Sequence, residues 1–239
     1  DDMKKRGLKF LHVFSIDNAL VKPADPIFIG HCIAEGADCG NKVLWKSSAH
    51  EKVGVLAEMN GKPCIVEYSD ISKEMAEMTD GKGRLVYGAA NICNHFYTID
   101  FISDVVVPNL SNLYHVARKK IPFYDPETKK TVTPEDKNGI KLESFIFDVF
   151  PLSKSMSVLD VDRAEEFAPV KNAPGAAADS PDTAREMTSS LSKKWVQAAG
   201  GILTGDLSSI CEVARLTSYA GEGLEELVKG VEVECPFAL

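Results

Sequence analysis

VYGAANICNHFYTIDF, residues 86–101, begins like a buried strand, crosses three small residues and then sets Asn91, Asn94 and His95 among apolar neighbours. Small residues let a backbone or a ligand come close, and an amide both donates and accepts hydrogen bonds, as recognition of hydroxyl or acyl groups requires. A tight turn whose amides satisfy their own backbone accounts for the same pattern. The segments on either side must decide between these readings.

Upstream, FLHVFSI (10–16) is a continuous apolar run rich in β-branched and aromatic residues, which predicts a strand buried on both faces and ending at Asp17-Asn18. DPIFIGHCIAEGA (25–37) reads as a helix with Asp25 as N-cap and Pro26 at its first position. NKVLWK (41–46) reads as a strand, and 53–69 as a hairpin turning at Asn60-Gly61. DISKEMAEM (70–78) reads as a helix, and Thr98 is placed to cap another over 99–110. Downstream, 114–142 looks like an exposed excursion, 143–154 fits a helix or a buried strand, and 156–161 is strand-like. A small-residue loop (172–182) leads to a helix capped by Ser180-Pro181, with Ala184, Met187, Leu191 and Trp195 on one face and Gly200-Gly201 at its end. The last forty residues are short β-like pieces. Alternating strands and helices interrupted by hairpins predict an α/β domain with a mixed sheet, followed by a smaller β unit.

Composition narrows the function classes. With 44% hydrophobic and 26% charged residues, the 239-residue chain is neither disordered nor fibrous. Its net charge of −8 argues against a nucleic-acid surface, and the absence of an 18-residue apolar run argues against a membrane-spanning helix. DDMKKRGLKF resembles the last turn of a helix with Gly7 beyond it, not a signal peptide, so the chain is expected to open inside a domain. The six cysteines have no CxxC spacing and read as reduced structural thiols of a cytoplasmic protein.

Few residues suggest chemistry by themselves. Asp17, immediately after a strand, is placed to hold a metal or a ribose, or to cap a turn. Glu67 at the end of CIVEYS can accept hydrogen bonds from sugar hydroxyls, or lie on a solvated face. Lys171 is one lysine among many, and Phe145, Phe147 and Phe150 suit a core as well as a pocket. GKGR (81–84) and GEG (221–223) lack the strand-to-helix context of a phosphate loop, and there is no serine-nucleophile elbow or HExxH.

Six ordered blocks go further: VFSIDNALVKPADPIFIGHCIAEGADCGNKV, GKPCIVEYSDIS, GAANICNHFYT, NGIKLESFIFDVF, EFAPVKNAPG and LTSYAGEGLE. Their order and spacing resemble the eukaryotic UDP-N-acetylglucosamine (UDP-HexNAc) pyrophosphorylases over residues 2 to 230. The resemblance implies a Rossmann-like, mixed-sheet nucleotidyltransferase domain over 1–199 and a small C-terminal β domain over 200–239. It implies attack by N-acetylglucosamine 1-phosphate on the α-phosphorus of UTP, giving UDP-N-acetylglucosamine and pyrophosphate with Mg2+. In that family pattern Asp17 matches the metal-and-phosphate aspartate, and Glu67 the residue that binds sugar hydroxyls. Asn91 matches the contact to the hexosamine and its acetamido group, Phe145 and Phe147 the wall around the acetyl methyl, and Lys171 the phosphate-binding lysine. Lys141 is a candidate second cation, while Asn94 and His95 are read as structural. Related readings are a pyrophosphorylase for UDP-glucose or UDP-GalNAc and a non-catalytic sugar-nucleotide-binding module. The family's LxxGxGTRxGxxxPK loop is not in these residues, so they are expected to supply the sugar and metal half. Alone they are expected to be inactive and to associate with themselves or with a nucleotide-binding half.

Overall fold

The computed structural model describes residues 1–110 and 114–239. A short helix α1 (Asp2–Lys5) precedes strand β1 (Phe10–Phe14), and helix α2 (Pro26–Ala34) precedes β2 (Cys39–Trp45). The hairpin β3 (Val55–Met59) and β4 (Lys62–Val66) turns at Asn60-Gly61, both in the left-handed region, as the type I′ geometry demands. Helix α3 (Lys73–Glu77) leads to β5 (Ala89–Thr98), the longest strand. A π-helical turn (Phe101–Val106) and a 3₁₀ turn (Val107–Asn109) follow, with Thr98 Oγ1 accepting the Phe101 N–H at 3.1 Å.

The 114–142 excursion is ordered as two antiparallel ribbons. One pairs β6 (His115–Lys119) with β9 (Gly139–Glu143), and the other pairs β7 (Phe123–Asp125) with β8 (Lys130–Val132). Strand β10 (Met156–Asp160), helix α4 (Arg163–Glu166), helix α5 (Pro181–Ala198), β11 (Ile202–Gly205), α6 (Glu225–Val228) and β12 (Glu232–Cys235) complete the chain.

Six strands form the main sheet in the order β10-β2-β5-β3-β4, with β1 also paired to β5. The β10–β2 pair is parallel and the other pairings are antiparallel, so the sheet is mixed. Helix α2 covers one face, where Phe28 and Cys32 pack on Phe96. Gly40 makes this approach possible: a Cβ there would lie 2.5 Å from Cys32 Sγ. The other face carries Cys39 and Tyr97 under Phe101, Val106, Phe147 and Phe150.

Two expectations are corrected. Strand β1 stops at Phe14 and is only half-buried, with Ile16 fully in solvent, because β5 is the one strand among the described residues that pairs with it. Residues 144–149 form neither a helix nor a strand, and only the short 3₁₀ helix Phe150–Leu152 follows them. The Asp148 carboxylate accepts the Phe145 N–H at 3.0 Å and the Phe145 carbonyl accepts the Asp148 N–H at 3.1 Å, closing a turn that runs into the 3₁₀ helix Phe150–Leu152.

Helix α5 ties the chain together. Its Ala184, Met187, Leu191 and Trp195 pack on Leu20, Ala168 and Val170, flanking the loop after β1. Its last turn packs Val196 and Ala199 against Val213, Leu224, Val228 and Val233 of the C-terminal unit, where β11 and β12 pair in parallel. A capping box joins Ser180 and Thr183 at its start. Ser180→Ala removes the side-chain acceptor for the Thr183 N–H and should lower unfolding stability by about 1 kcal/mol, read from denaturant midpoints at unchanged slope.

Candidate active site

Strand β5 breaks its register with β2 at the residues that opened the sequence analysis. Asn41 pairs with His95 and Val43 with Asn91, so Lys42 alone faces Ile92, Cys93 and Asn94. Such a bulge kinks the strand and redirects its side chains. Cys93 adopts φ 52°, a left-handed conformation that a cysteine rarely takes. Asn91 makes it tenable: its Oδ1 accepts the Cys93 N–H at 3.1 Å, in place of the bond the ladder no longer offers.

The bulge lies at a junction. Along one edge of β5, β1 ends with Phe14 opposite Asn94, and β3 begins with Val55 opposite Ala90. Between them the Ser15 N–H donates to the Cys93 carbonyl at 3.1 Å, and the Asn91 N–H donates to the Gly54 carbonyl at 2.8 Å. The two neighbouring chains therefore part at Asn91–Cys93, the one to Asp17 leaving on one side and the one into β3 arriving on the other.

Both flanks are held firmly. Buried Asn18 accepts the Leu20 and Ala168 N–H groups at 3.2 and 2.9 Å, and its amide donates to the Glu166 carbonyl at 2.7 Å. This fixes the Asp17 carbonyl to accept the Val170 N–H at 2.9 Å, which brings Lys171 into the same neighbourhood. On the opposite flank the Glu67 carboxylate lies against Gly54: a Cβ there would stand 2.8 Å from Glu67 Oε1 and 2.9 Å from an Ile65 methyl. Beneath the bulge, fully buried Lys42 pairs with Asp25, the N-cap of α2, and with Glu166, which also pairs with Lys22 at 3.2 Å.

The electrostatics at Cys93 show which groups converge. Burial is the main reason its thiol pKa is raised. A hydrogen bond with Ser15 opposes the rise, the charges of Glu67 and Asp17 add to it, and Lys171 offsets them. Asp17, Glu67 and Lys171 thus act on one point beside Asn91, a set of two carboxylates, one ammonium and one amide. Such a set suits a polyhydroxylated ligand that carries phosphate.

The remaining sequence candidates divide. Phe145 and Phe147 stack at 4.9 Å; Phe147 is buried against Phe150 and His95, whereas half-buried Phe145 reaches two cavities. One is apolar, about 510 Å3, and bounded by Val13, Tyr97, Ile102 and Leu152; the other is polar, about 540 Å3, and bounded by Glu67, Asp70, Arg118 and Lys137. Lys141 stands apart from the Cys93 group, on exposed β9, paired with Glu143 at 3.2 Å. No group of three or more His, Cys, Asp or Glu side chains comes together among the described residues, so Asp17 can offer a metal one carboxylate and not a full cage. Mg2+ is commonly bound in that way, with one or two carboxylates, substrate phosphates and water.

Sequence reasoning missed Ser15, Gly54 and Cys93. The isolated glycine in VGVLAEM was the one available signal, since a glycine within a strand pattern often marks close approach. It read Asn94 and His95 as structural. Asn94 Oδ1 lies 2.7 Å from His12 Nε2; because His12 Nδ1 accepts the Ala24 N–H, Nε2 is the donor. His95 is fully buried, with neither ring nitrogen hydrogen-bonded among the described residues.

A family model described as UTP--glucose-1-phosphate uridylyltransferase matches residues 1–195. The human UDP-N-acetylhexosamine pyrophosphorylase-like protein 1 is 44% identical over 258 residues, covering 100% of this chain and 50% of the relative. The UDP-N-acetylglucosamine pyrophosphorylase of Saccharomyces cerevisiae is 44% identical over 230 residues, covering 95% of this chain and 48% of its own length. The crystal structure of a putative UDP-N-acetylglucosamine pyrophosphorylase from Entamoeba histolytica superposes with TM-score 0.87 at 30% identity, over 100% of this chain and 58% of that one. The chain spans about half the length of the curated relatives it matches.

The buried imidazole gives the site a pH signature. Burial, with a smaller contribution from His12, lowers the His95 pKa to about 3, whereas an unfolded histidine titrates near ~6.5. Below that upper value the unfolded chain binds a proton that the folded chain refuses, so stability falls as pH drops, by at most about 1.4 kcal/mol per pH unit for one proton. His95→Phe should flatten this slope between pH ~6.5 and ~4.5 in urea titrations; an unchanged slope would contradict the assignment.

Proposed function

Because the chain belongs to the UTP--glucose-1-phosphate uridylyltransferase family, we propose that it forms the sugar- and phosphate-binding part of an enzyme making UDP-N-acetylglucosamine. In this reaction an oxygen of N-acetylglucosamine 1-phosphate attacks the α-phosphorus of UTP. One P–O bond forms, the bond to the departing pyrophosphate breaks, and no net proton transfer is required. Both reactants are anionic, so catalysis rests on alignment and charge neutralisation. The observation that carries the proposal is the placement around the β5 bulge: Asp17 is tied to the segment of Lys171 through the Val170 N–H, Glu67 lies against Gly54, and Asn91 caps the Cys93 N–H between them.

Each side chain has a role its position supports. Glu67, against Gly54, accepts sugar hydroxyls, and the Asn91 NH2 exchanges its long contact with Cys93 Sγ (3.8 Å) for the acetamido carbonyl. Phe145 offers an apolar face to the acetyl methyl, and Phe147 backs it from the core. Lys171 neutralises phosphate charge, and Lys141 is a more distant second cation. Asp17 would hold Mg2+, which supplies neutralisation of the phosphate oxygens when bound. UTP, pyrophosphate and UDP-N-acetylglucosamine are the remaining ligands. A Rossmann-like description of the domain rests on α2 and the parallel β2–β10 pair, and the small β unit after residue 199 rests on α5. The six free thiols support a cytoplasmic location.

Two substitutions test the assignment in the protein that carries this sequence. Asp17→Asn should abolish most turnover while leaving the unfolding midpoint in place; near-normal turnover at saturating Mg2+ would refute the role. Phe145→Ala should impair N-acetylglucosamine 1-phosphate more than glucose 1-phosphate, by about 1–3 kcal/mol in kcat/KM. Equal losses would make the ring a packing element only.

A further inference from the structure

The polar cavity has two walls of different origin. One is the turn after β4, with Glu67 and Asp70; the other is the β6–β9 ribbon with its neighbouring loop, which contributes Arg118, Lys119 and Lys137, and Phe145 closes the space between them. Three cations, Arg118, Lys119 and Lys137, share the lining of this cavity with three carboxylates, Glu67, Asp70 and Glu143. Lys141 is paired with Glu143, whereas Arg118, Lys119 and Lys137 form no ion pair among the described residues. Cations on a concave wall that are not held in an ion pair are free to turn towards an anion, and a guanidinium binds phosphate through two parallel donors.

Glu67 belongs to both regions. It faces Cys93 together with Asp17 and Lys171, yet those two residues do not line the polar cavity. A sugar ring resting on Glu67 and Phe145 therefore has one cationic region at Lys171 and another, separate one at Arg118 and Lys137.

We propose that Arg118 and Lys137 form a second anion subsite, which binds a phosphate carried on the side of the sugar remote from C1. The site then accepts a hexosamine 6-phosphate as a ligand competing with the 1-phosphate. The proposal rests on the reading of Glu67 as a sugar contact and adds a ligand class to it. No covalent step is involved, since the second phosphate is bound and not transferred.

Calorimetric titration of the chain with N-acetylglucosamine, its 1-phosphate and its 6-phosphate tests this. The 6-phosphate should bind more tightly than the neutral sugar. The double variant R118Q/K137Q should weaken the 6-phosphate about tenfold or more, as expected for losing hydrogen bonds to a charged group, and leave the 1-phosphate within about twofold. K171Q should do the reverse, R118K should recover part of the loss, and K130Q on the separate β7–β8 ribbon should change neither. If the unaltered chain binds the 1-phosphate and gains nothing from a 6-phosphate, the subsite is wrong and the sugar site stands. If R118Q/K137Q weakens both phosphates alike, these cations serve the C1 phosphate and the proposal is overturned. If none of the three sugars binds, the sugar reading falls and takes the subsite with it.

Discussion

The hydrogen bond from the Cys93 N–H to Asn91 Oδ1 is the contact on which the site depends. It stabilises a cysteine at φ 52° inside the central strand, a conformation that costs of order 1–3 kcal/mol when nothing compensates. At that bulge β1 and β3 share one edge of β5 without meeting, β1 ending opposite Asn94 and β3 beginning opposite Ala90. The opening question thus has a double answer. The Asn91 oxygen satisfies its own backbone, as turn-forming amides do, and the same hydrogen bond fixes the direction of the NH2, which donates to Cys93 Sγ at 3.8 Å.

Around the bulge the fold spends its strongest polar contacts on immobilising the flanks. Asn18 uses both of its amide atoms on the segment 166–168, and Lys42 sits with two carboxylates behind the strand. Removing one partner of such a buried set leaves an uncompensated charge, so the arrangement confers rigidity more than stability. Helix α5 then clamps the loop after β1 through Leu20 and Ala168. Asp17 and Lys171 are short of packing themselves, but both are carried on backbone that cannot drift. Pre-organised charge of this kind is what phosphoryl chemistry requires of a protein.

How much of this was legible in the sequence follows from the range of the forces involved. The cap of α2, the Asn60-Gly61 turn and the apolar stripe of α5 depend on neighbours within a few residues, and each was readable. The limits of β1 were not, because burial of 10–16 depends on which strands flank it. Residues 144–152 were misjudged since an apolar run does not reveal that Asp148 will close a turn. Asp17, Glu67, Asn91 and Lys171 could be named from family resemblance, but their meeting place could not. It is set by a cysteine in a left-handed conformation, and cysteine carries no local signal for it. Lys141, named as a second cation from family resemblance, is paired with Glu143 on β9. Arg118 of β6 and Lys137 of the loop before β9 line the polar cavity, a position that no local pattern in the sequence announces.

The central claim is that the bulge of β5 is the floor of the sugar site. A crystal structure of the protein carrying this sequence with UDP-N-acetylglucosamine bound tests it most directly. The account predicts the hexosamine ring above Asn91–Cys93, its hydroxyls on Glu67, its acetyl group against Phe145 and its phosphate towards Asp17 and Lys171. A sugar bound away from this bulge, with Asn91 and Glu67 untouched, would contradict it.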